Sequence, residues 1–594
     1  MRAQLILVAL TMIASSVRAA SPAPPSDAIA YAPNEERVHL SWVDNSGDET
    51  GFKVQRYDFA SSQWTDLAEL SPNFLVYRGA APSVAAQQVK YRVAAMNGTE
   101  LSAWVEAEVF KPQGDLDLFH DPGRNDPTAV SQPLEIPEGS GARAGELLSI
   151  PIEVFNGSPD RFIAEGLPAG LSLDSSSGII SGVVQAPGVY RILNGVEFDS
   201  GKRFQQVRYL RILPAASTPV VANAITLPTQ QIGAEGFIDL SGLFADPSRP
   251  VGAWFYLGGQ SIIVALYDAA TPLTVANFIS YAYFGAYNGS YVHRALPDFI
   301  LQGGGYGPAS ATAPPDQWSP LGKLSPCLNE PGFANSRGTI SMAKASGTRD
   351  SATSEWFFNV GVGNSANLDY QNGGFTPFGA VIGASGLAVL DAIADLATGD
   401  YDITVQGQGP TNFQSVPVLD TSPPTNLGQN SLLRVDSIRL CPAVEISLVD
   451  NSGPDVLDAG VVGMLLYLKS KGGAGMADLQ LRATNLDGNT ATYLLPLRFD
   501  DITSPDLKIL SLRRGKLPGT VRIKARATDT VGLGFWRYRL NGGRWVKGGG
   551  LRGMSAEISS EIRGDRRGKN RIEFEVLDAR GNASSIAKES FKNK

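Results

Sequence analysis

Tyr291-Val292-His293-Arg294, Phe299-Ile300-Leu301-Gln302-Gly303-Gly304-Gly305, Arg337-Gly338-Thr339-Ile340-Ser341-Met342-Ala343 and Ser354-Glu355-Trp356-Phe357-Phe358-Asn359 follow one another in the middle of the 594-residue chain. Ahead of them Ser261-Ile262-Ile263-Val264-Ala265-Leu266-Tyr267 reads as a strand. Thr271-Pro272-Leu273-Thr274-Val275-Ala276-Asn277-Phe278 then reads as a helix start, with Thr271 as cap and Pro272 in the first turn. Asn329-Glu330 stands between the phrases, and Asn367-Leu368-Asp369 and Phe378-Gly379 come after them. Gly303–Gly305 is not a phosphate loop, because no lysine or helix start follows at the right distance. Taken singly, an arginine after a histidine is a surface residue, and Phe299 or Phe357 is core. Their order and spacing make them one constellation.

In order, spacing and residue type these phrases resemble cyclophilins, above all exported bacterial ones, over roughly 180 residues. The resemblance implies an eight-stranded antiparallel β-barrel capped by two helices, and peptidyl-prolyl cis/trans isomerase activity. An X-Pro bond interconverts over a barrier of about 18–20 kcal/mol, because rotation destroys amide resonance. The catalyst needs no nucleophile, metal or cofactor; it must bind the twisted amide better than either planar form. The resemblance gives Arg294 the role of donor to the prolyl nitrogen and Gln302 that of holding the substrate carbonyl. It places Phe299, Ile300, Phe357 and Leu368 around the proline ring, and Ala343 and Lys344 along the backbone of the residue before proline.

Several positions depart from the family pattern. Ile300 replaces a common methionine, and Lys344 a common asparagine. Glu355-Trp356 stands where Gln-Phe is usual, so Glu355 either pairs with Arg294 and dampens its donation or points to water. Asn367 replaces an aromatic residue, which implies weak cyclosporin binding, and Phe375 replaces a histidine or tyrosine. The segments Gly307 to Leu328 and Tyr401 to Asn430 are insertions able to cover or reshape the groove. These departures keep a second function open: a catalytically weak or inactive barrel that serves as a binding module in a surface or adhesion protein.

Outward from this region the chain reads as mainly β and multidomain. Gly (64) and Pro (38) are spread along it, as turns between many short strands require. Residues 27–111 resemble a fibronectin type III sandwich through Leu40-Ser41-Trp42, Asp48-Glu49-Thr50-Gly51-Phe52 and Tyr91-Arg92-Val93-Ala94-Ala95. Trp42 is then core, and Tyr91 the corner tyrosine whose hydroxyl bonds back to the chain. Residues 134–214 resemble bacterial immunoglobulin-like modules through Gly166-Leu167-Pro168-Ala169-Gly170-Leu171-Ser172-Leu173-Asp174 and Gly178-Ile179-Ile180-Ser181-Gly182. Pro214 to about Ala245 reads as a lead-in to the barrel region, 251–440. Residues 441–500 read as a further β-sandwich module, and 501–594 as a C-terminal immunoglobulin-like module.

Residues 1–19 read as a signal peptide: Arg2, an apolar run Leu5–Ile13 and Val17-Arg18-Ala19 before the cut. The protein is therefore expected to be exported, to periplasm, cell surface or medium. There it would assist folding of extracytoplasmic proteins, with proline-containing polypeptides as substrates and a cell-surface or matrix partner for the sandwiches. No segment is apolar for long enough to predict a transmembrane helix. A net charge of −8 gives no sign of a nucleic-acid partner. Arg513, Arg514 and Lys516, with Arg563, Arg566, Arg567 and Lys569, form a solvated face or a polyanion contact. Two cysteines, Cys327 and Cys441, exclude a disulfide framework and leave one bond or two thiols open. Three scattered histidines and the lack of a zinc motif or nucleophile elbow argue against hydrolytic chemistry. Asp/Asn-rich turns such as Asp450-Asn451 have the composition of calcium loops, but surface turns share it.

Overall fold

Leu301, Ile340, Phe358 and Phe378 are fully buried, and each lies on a different strand of one sheet. The computed structural model describes residues 21–594 apart from 33–36, 73, 81–87, 111–138, 155–157, 200–202, 226–229, 232–234, 429, 472–474, 501–502, 530, 566 and 594. The leader expected over residues 1–19, Arg566 and His120 lie outside the described residues.

The sheet has eight strands. In hydrogen-bonded order they are Val292–Ala295, Ile300–Gly303, Trp356–Asn359, Thr339–Met342, Pro377–Val381, Gln260–Leu266, Gly252–Leu257 and Val435–Cys441. The run from Val292–Ala295 to Pro377–Val381 is antiparallel, as is the hairpin Gly252–Leu257/Gln260–Leu266. The ends meet: Val292 N–H donates to the Leu433 carbonyl (3.1 Å) and Val435 N–H to that of Ser290 (2.8 Å). Closure leaves the barrel without an exposed edge. This is the expected eight-stranded barrel.

Two twelve-residue helices accompany it, Pro272–Tyr283 and Gly383–Ala394. The first buries Thr274, Val275, Phe278, Tyr281 and Ala282, an i, i+3, i+4 stripe. Pro272 sits in its first turn as expected. Thr271 occupies the cap position but does not cap: its hydroxyl donates to the Tyr267 carbonyl (3.2 Å). The free N–H of Thr274 goes instead to the Glu330 carboxylate (2.8 Å), an anion placed at the positive end of the helix.

The two insertions fold together. Tyr306–Pro308, Gln317–Pro320, Thr398–Val405 and Gly409–Pro417 form a four-stranded sheet over Tyr291, Trp318, Ile403, Val405 and Val416.

The chain divides into two compact units, 1–215 with 266–380 and 390–438, and 216–265 with 381–389 and 439–594. In the first, two sheets enclose Trp42, Phe52, Tyr91 and Val93. Trp42 is core, as expected. Tyr91 is buried, and residues 81–87 just upstream, where a corner tyrosine's hydroxyl would bond, lie outside the described residues. Burial pushes this phenol up to about 12. The next sandwich sets Arg161–Glu165, Gly188–Glu197, Arg203–Leu213 and Gly139–Arg143 against Leu147–Pro151, Ile179–Val183 and Leu171–Asp174. Ile180, Ile192, Leu210 and Ile212 fill it, with Leu171 and Leu173 packed at its margin.

In the second unit, the stretch read as a lead-in supplies strands. Glu235–Asp239 pairs with Leu465–Ser470, and Gln230–Gln231 with Thr490–Asp500. Residues 441–500 are thus completed by residues from before the barrel. The physical reason is core size: Leu240, Leu243 and Phe244 pack with Leu466, Leu479 and Leu495 in one cluster. Within that unit Arg249 is buried against Asp487 (2.8 Å). The last module packs Val521, Ile523, Trp536, Ile572 and Phe574 between three- and four-stranded sheets. Cys327 and Cys441 are both free thiols, each pushed up to about 12 by burial. Among the described residues no helix is long and apolar enough to cross a membrane.

Candidate active site

Side chains alternate across a strand, so a residue and its direct cross-strand partner share a face. Arg294 pairs with Gln302, Gln302 with Phe357, and Phe357 with Ser341. Four adjacent strands therefore carry these residues in one row. Leu301, Phe358 and Ile340 alternate with the row and are fully buried, while Arg294 and Gln302 at one end of the row stay partly exposed.

Below the row lies an apolar pocket. Ile300, Phe357 and Leu368 are almost completely buried together, and Phe299, Ala343 and Phe375 pack against them. All six were singled out from the sequence, and the fold brings them together. Phe375 meets Phe357 edge to face (5.6 Å between centroids). Lys344 does more than offer its backbone. Its ammonium lies 4.6 Å over the Phe375 ring and donates to the carbonyls of Asn372 (2.8 Å) and Gly374 (2.6 Å). The long side chain thereby pins the loop that carries Phe375. Asn367 stands apart from this cluster: it is exposed, and no aromatic side chain occupies its place.

Glu355 does not pair with Arg294. Its carboxylate accepts the Gln302 amide N–H (2.9 Å) and lies 3.6 Å from His293 Nε2. Arg294 has no ion-pair or hydrogen-bond partner among the described residues, so its guanidinium keeps its donors. His293 is buried beside Tyr306 and Phe413, at 5.3 and 6.3 Å between ring centroids. Burial, only partly offset by Glu355, holds its pKa below the ordinary imidazole value. The insertions thus pack behind the arginine strand.

Two supporting sets were not legible as such. Asn335, Ser341, Asn359 and Asn364 are buried and joined. Ser341 Oγ donates to Asn335 Oδ1 (2.7 Å), Asn359 Nδ2 to Thr339 Oγ1 (2.9 Å), and Asn364 Nδ2 to Asn359 Oδ1 (2.8 Å) and the Phe299 carbonyl (2.7 Å). Asn335 also donates to Asp369 (2.9 Å) and the Phe375 carbonyl (3.2 Å). The network ties Phe299 and Phe375 to the strands beneath. Asparagines at strand ends within an apolar stretch are the sequence signal for it. The second set is Arg211 with Glu330, both 3% exposed and 3.1 Å apart. Arg211 further donates to the Pro331 and Ala270 carbonyls, at 3.1 and 3.0 Å. No local pattern announces a pair 119 positions apart.

A closed β-barrel carrying an arginine-glutamine-phenylalanine row beside an apolar cluster is the architecture of a class of rotamases. The chain belongs to the cyclophilin-type peptidyl-prolyl cis-trans isomerase family. The model described as Cyclophilin type peptidyl-prolyl cis-trans isomerase/CLD matches residues 256–411, and an Ig domain model matches 129–204. A peptidyl-prolyl cis-trans isomerase of Acinetobacter baylyi is 38% identical over 143 residues, 24% of this chain and 70% of that protein. Peptidyl-prolyl cis-trans isomerase A of Dickeya dadantii is 38% identical over 164 residues, 26% of this chain and 73% of that protein. Among solved structures, a Cryptosporidium parvum cyclophilin-type isomerase crystallised with the dipeptide Ala-Pro is similar at 18% identity. It covers 32% of this chain and 96% of that one, with a TM-score of 0.21.

Proposed function

We propose that the barrel catalyses cis/trans isomerisation of X-Pro bonds, with Arg294 as the transition-state donor. One observation carries this reading. Arg294 stands in register with Gln302 and Phe357 above the Ile300–Phe357–Leu368 pocket, and its guanidinium is not engaged by Glu355. As the amide twists, its nitrogen loses resonance and gains a lone pair. A fixed planar cation facing it stabilises that state more than either planar ground state. Gln302 carries two amide hydrogens. One goes to Glu355, which fixes the amide, and the other is left for the substrate carbonyl. The pocket grips the proline ring while the carbonyl side turns.

The test is the isomerisation rate of an Ala-Pro peptide by the full chain and by Arg294→Ala. The variant should fall by about 10²–10³-fold, the usual cost of removing one preorganised donor. A folded wild type without activity would move the function to binding alone.

The apolar run Leu5–Ile13 followed by Val17-Arg18-Ala19 supports export, and with it a role in folding extracytoplasmic chains. Intact-mass measurement on protein from the producing cell should find an N-terminus at Ala20; a retained Met1 would overturn this part.

A further inference from the structure

A cleft of about 480 Å³ lies beside the proline pocket, between the strand Leu147–Pro151 and the loop Pro331 to Ala334. Phe375 lines both the cleft and the pocket. One wall is the edge of a sheet. Leu147–Pro151 pairs on one side with Ile179–Val183 and ends its sheet; among the described residues no strand pairs with its other side. Ile152 N–H donates to the Gly178 carbonyl (2.8 Å), which fixes the alternation. Residues 148, 150 and 152 bond inward, and Leu147, Ser149 and Pro151 turn their backbone groups outward. The Pro151 carbonyl is already taken by Arg208 Nη1 (3.1 Å). The outward N–H and C=O of Ser149, which lines the cleft, are left for a partner.

This edge is held firmly beside the pocket. Arg211, from the same sandwich, is the buried partner of Glu330. Gly141 packs so closely on the loop that a Cβ there would lie 2.5 Å from the Gly332 carbonyl oxygen.

We propose that the free edge of Leu147–Pro151 is a substrate subsite for an unfolded, extended polypeptide. The chain that places its proline in the pocket continues past Phe375 and adds its backbone to Ser149 as a further strand. The inference rests on the isomerase reading of the pocket. Continuity carries it: one aromatic ring forms part of both surfaces. The chemistry agrees, because a residue before proline is already biased to the extended conformation that strand addition needs. Recognition through backbone groups is indifferent to side chains, which suits a catalyst of unfolded chains. A tetrapeptide spans at most about 14 Å and leaves no strand's length of chain beyond its proline.

The test compares two fluorescent peptides with the same Ala-Pro core, a tetrapeptide and one extended by a strand's length on both sides. Affinity and isomerisation are measured on the full chain, on Ser149→Pro, which removes the edge N–H, and on Ser149→Trp, which fills the cleft. The wild type should bind the extended peptide about tenfold more tightly, in line with strand addition. Both variants should lose that preference and keep the tetrapeptide rate. Absence of a length preference, its survival in both variants, or equal loss of tetrapeptide activity would overturn the subsite. A length preference abolished by the variants in a protein that turns over neither peptide would keep the subsite and sink the isomerase reading instead.

Discussion

Arg294 is valuable for its shape as much as its charge. A guanidinium is planar and permanently protonated, whereas an ammonium is a mobile, strongly hydrated point charge. Arg294→Lys should therefore recover little of the activity lost in Arg294→Ala, read as kcat/KM on an Ala-Pro peptide. Near-complete rescue would mean that charge alone suffices. One strand position away, His293 gives a pH signature. Its folded pKa is lowered by burial, so the unfolded chain binds the proton first. Its contribution is intact above the unfolded value of about 6.5 and is lost as pH falls through and below it. The thermal midpoint of the wild type should thus drop more steeply from neutral to mildly acidic pH than that of His293→Gln. Equal slopes would show that His293 does not couple to folding. At this scale the sequence was informative about identity and weaker about partners. The apolar residues lie together, and Glu355 accepts from Gln302 rather than pairing with Arg294. Nothing in the local sequence sets the direction of one carboxylate.

Strand register places the row of functional side chains, and the buried polar network holds that register in place. Asn359 links Thr339 on the neighbouring strand to Asn364 beside the Phe299 carbonyl. Asn359→Ala strands these buried groups. It should cost about 1–3 kcal/mol of stability, and it should lower activity through Phe299 although Arg294 is untouched. Denaturant unfolding alongside the peptide assay checks both; unchanged values in each would show the network to be dispensable. The strands and the first helix were legible because alternation and Pro272 are local signals. The cap was not: Thr271 has the right residue type, yet Glu330 supplies the anion from 56 positions away. The asparagine network is likewise distributed over separate segments, so composition shows its members and only the folded barrel shows their meeting.

Larger assemblies depend on pairs that link modules within a unit. Arg211 and Glu330 are both removed from water, and each justifies the other's burial. Arg211→Met leaves a buried carboxylate whose other oxygen still caps a helix, and should destabilise by about 3–5 kcal/mol. The double variant Arg211→Met/Glu330→Gln should recover part of that loss. Calorimetry on the wild type and the two variants decides, and a double variant less stable than Arg211→Met would overturn the pairing. Modules announced by turn spacing and tryptophan position could be read from sequence. The strand Glu235–Asp239 could not be assigned its partner, because pairing over such separations leaves no local trace.

That same strand sets an order on synthesis. Glu235 meets Tyr467 only after 232 further positions have been added. On a ribosome that gap spans the whole barrel, and closing so long a loop is slow. The early strand therefore waits unpaired until Leu465–Ser470 has been made, so this sandwich closes late in the chain's folding.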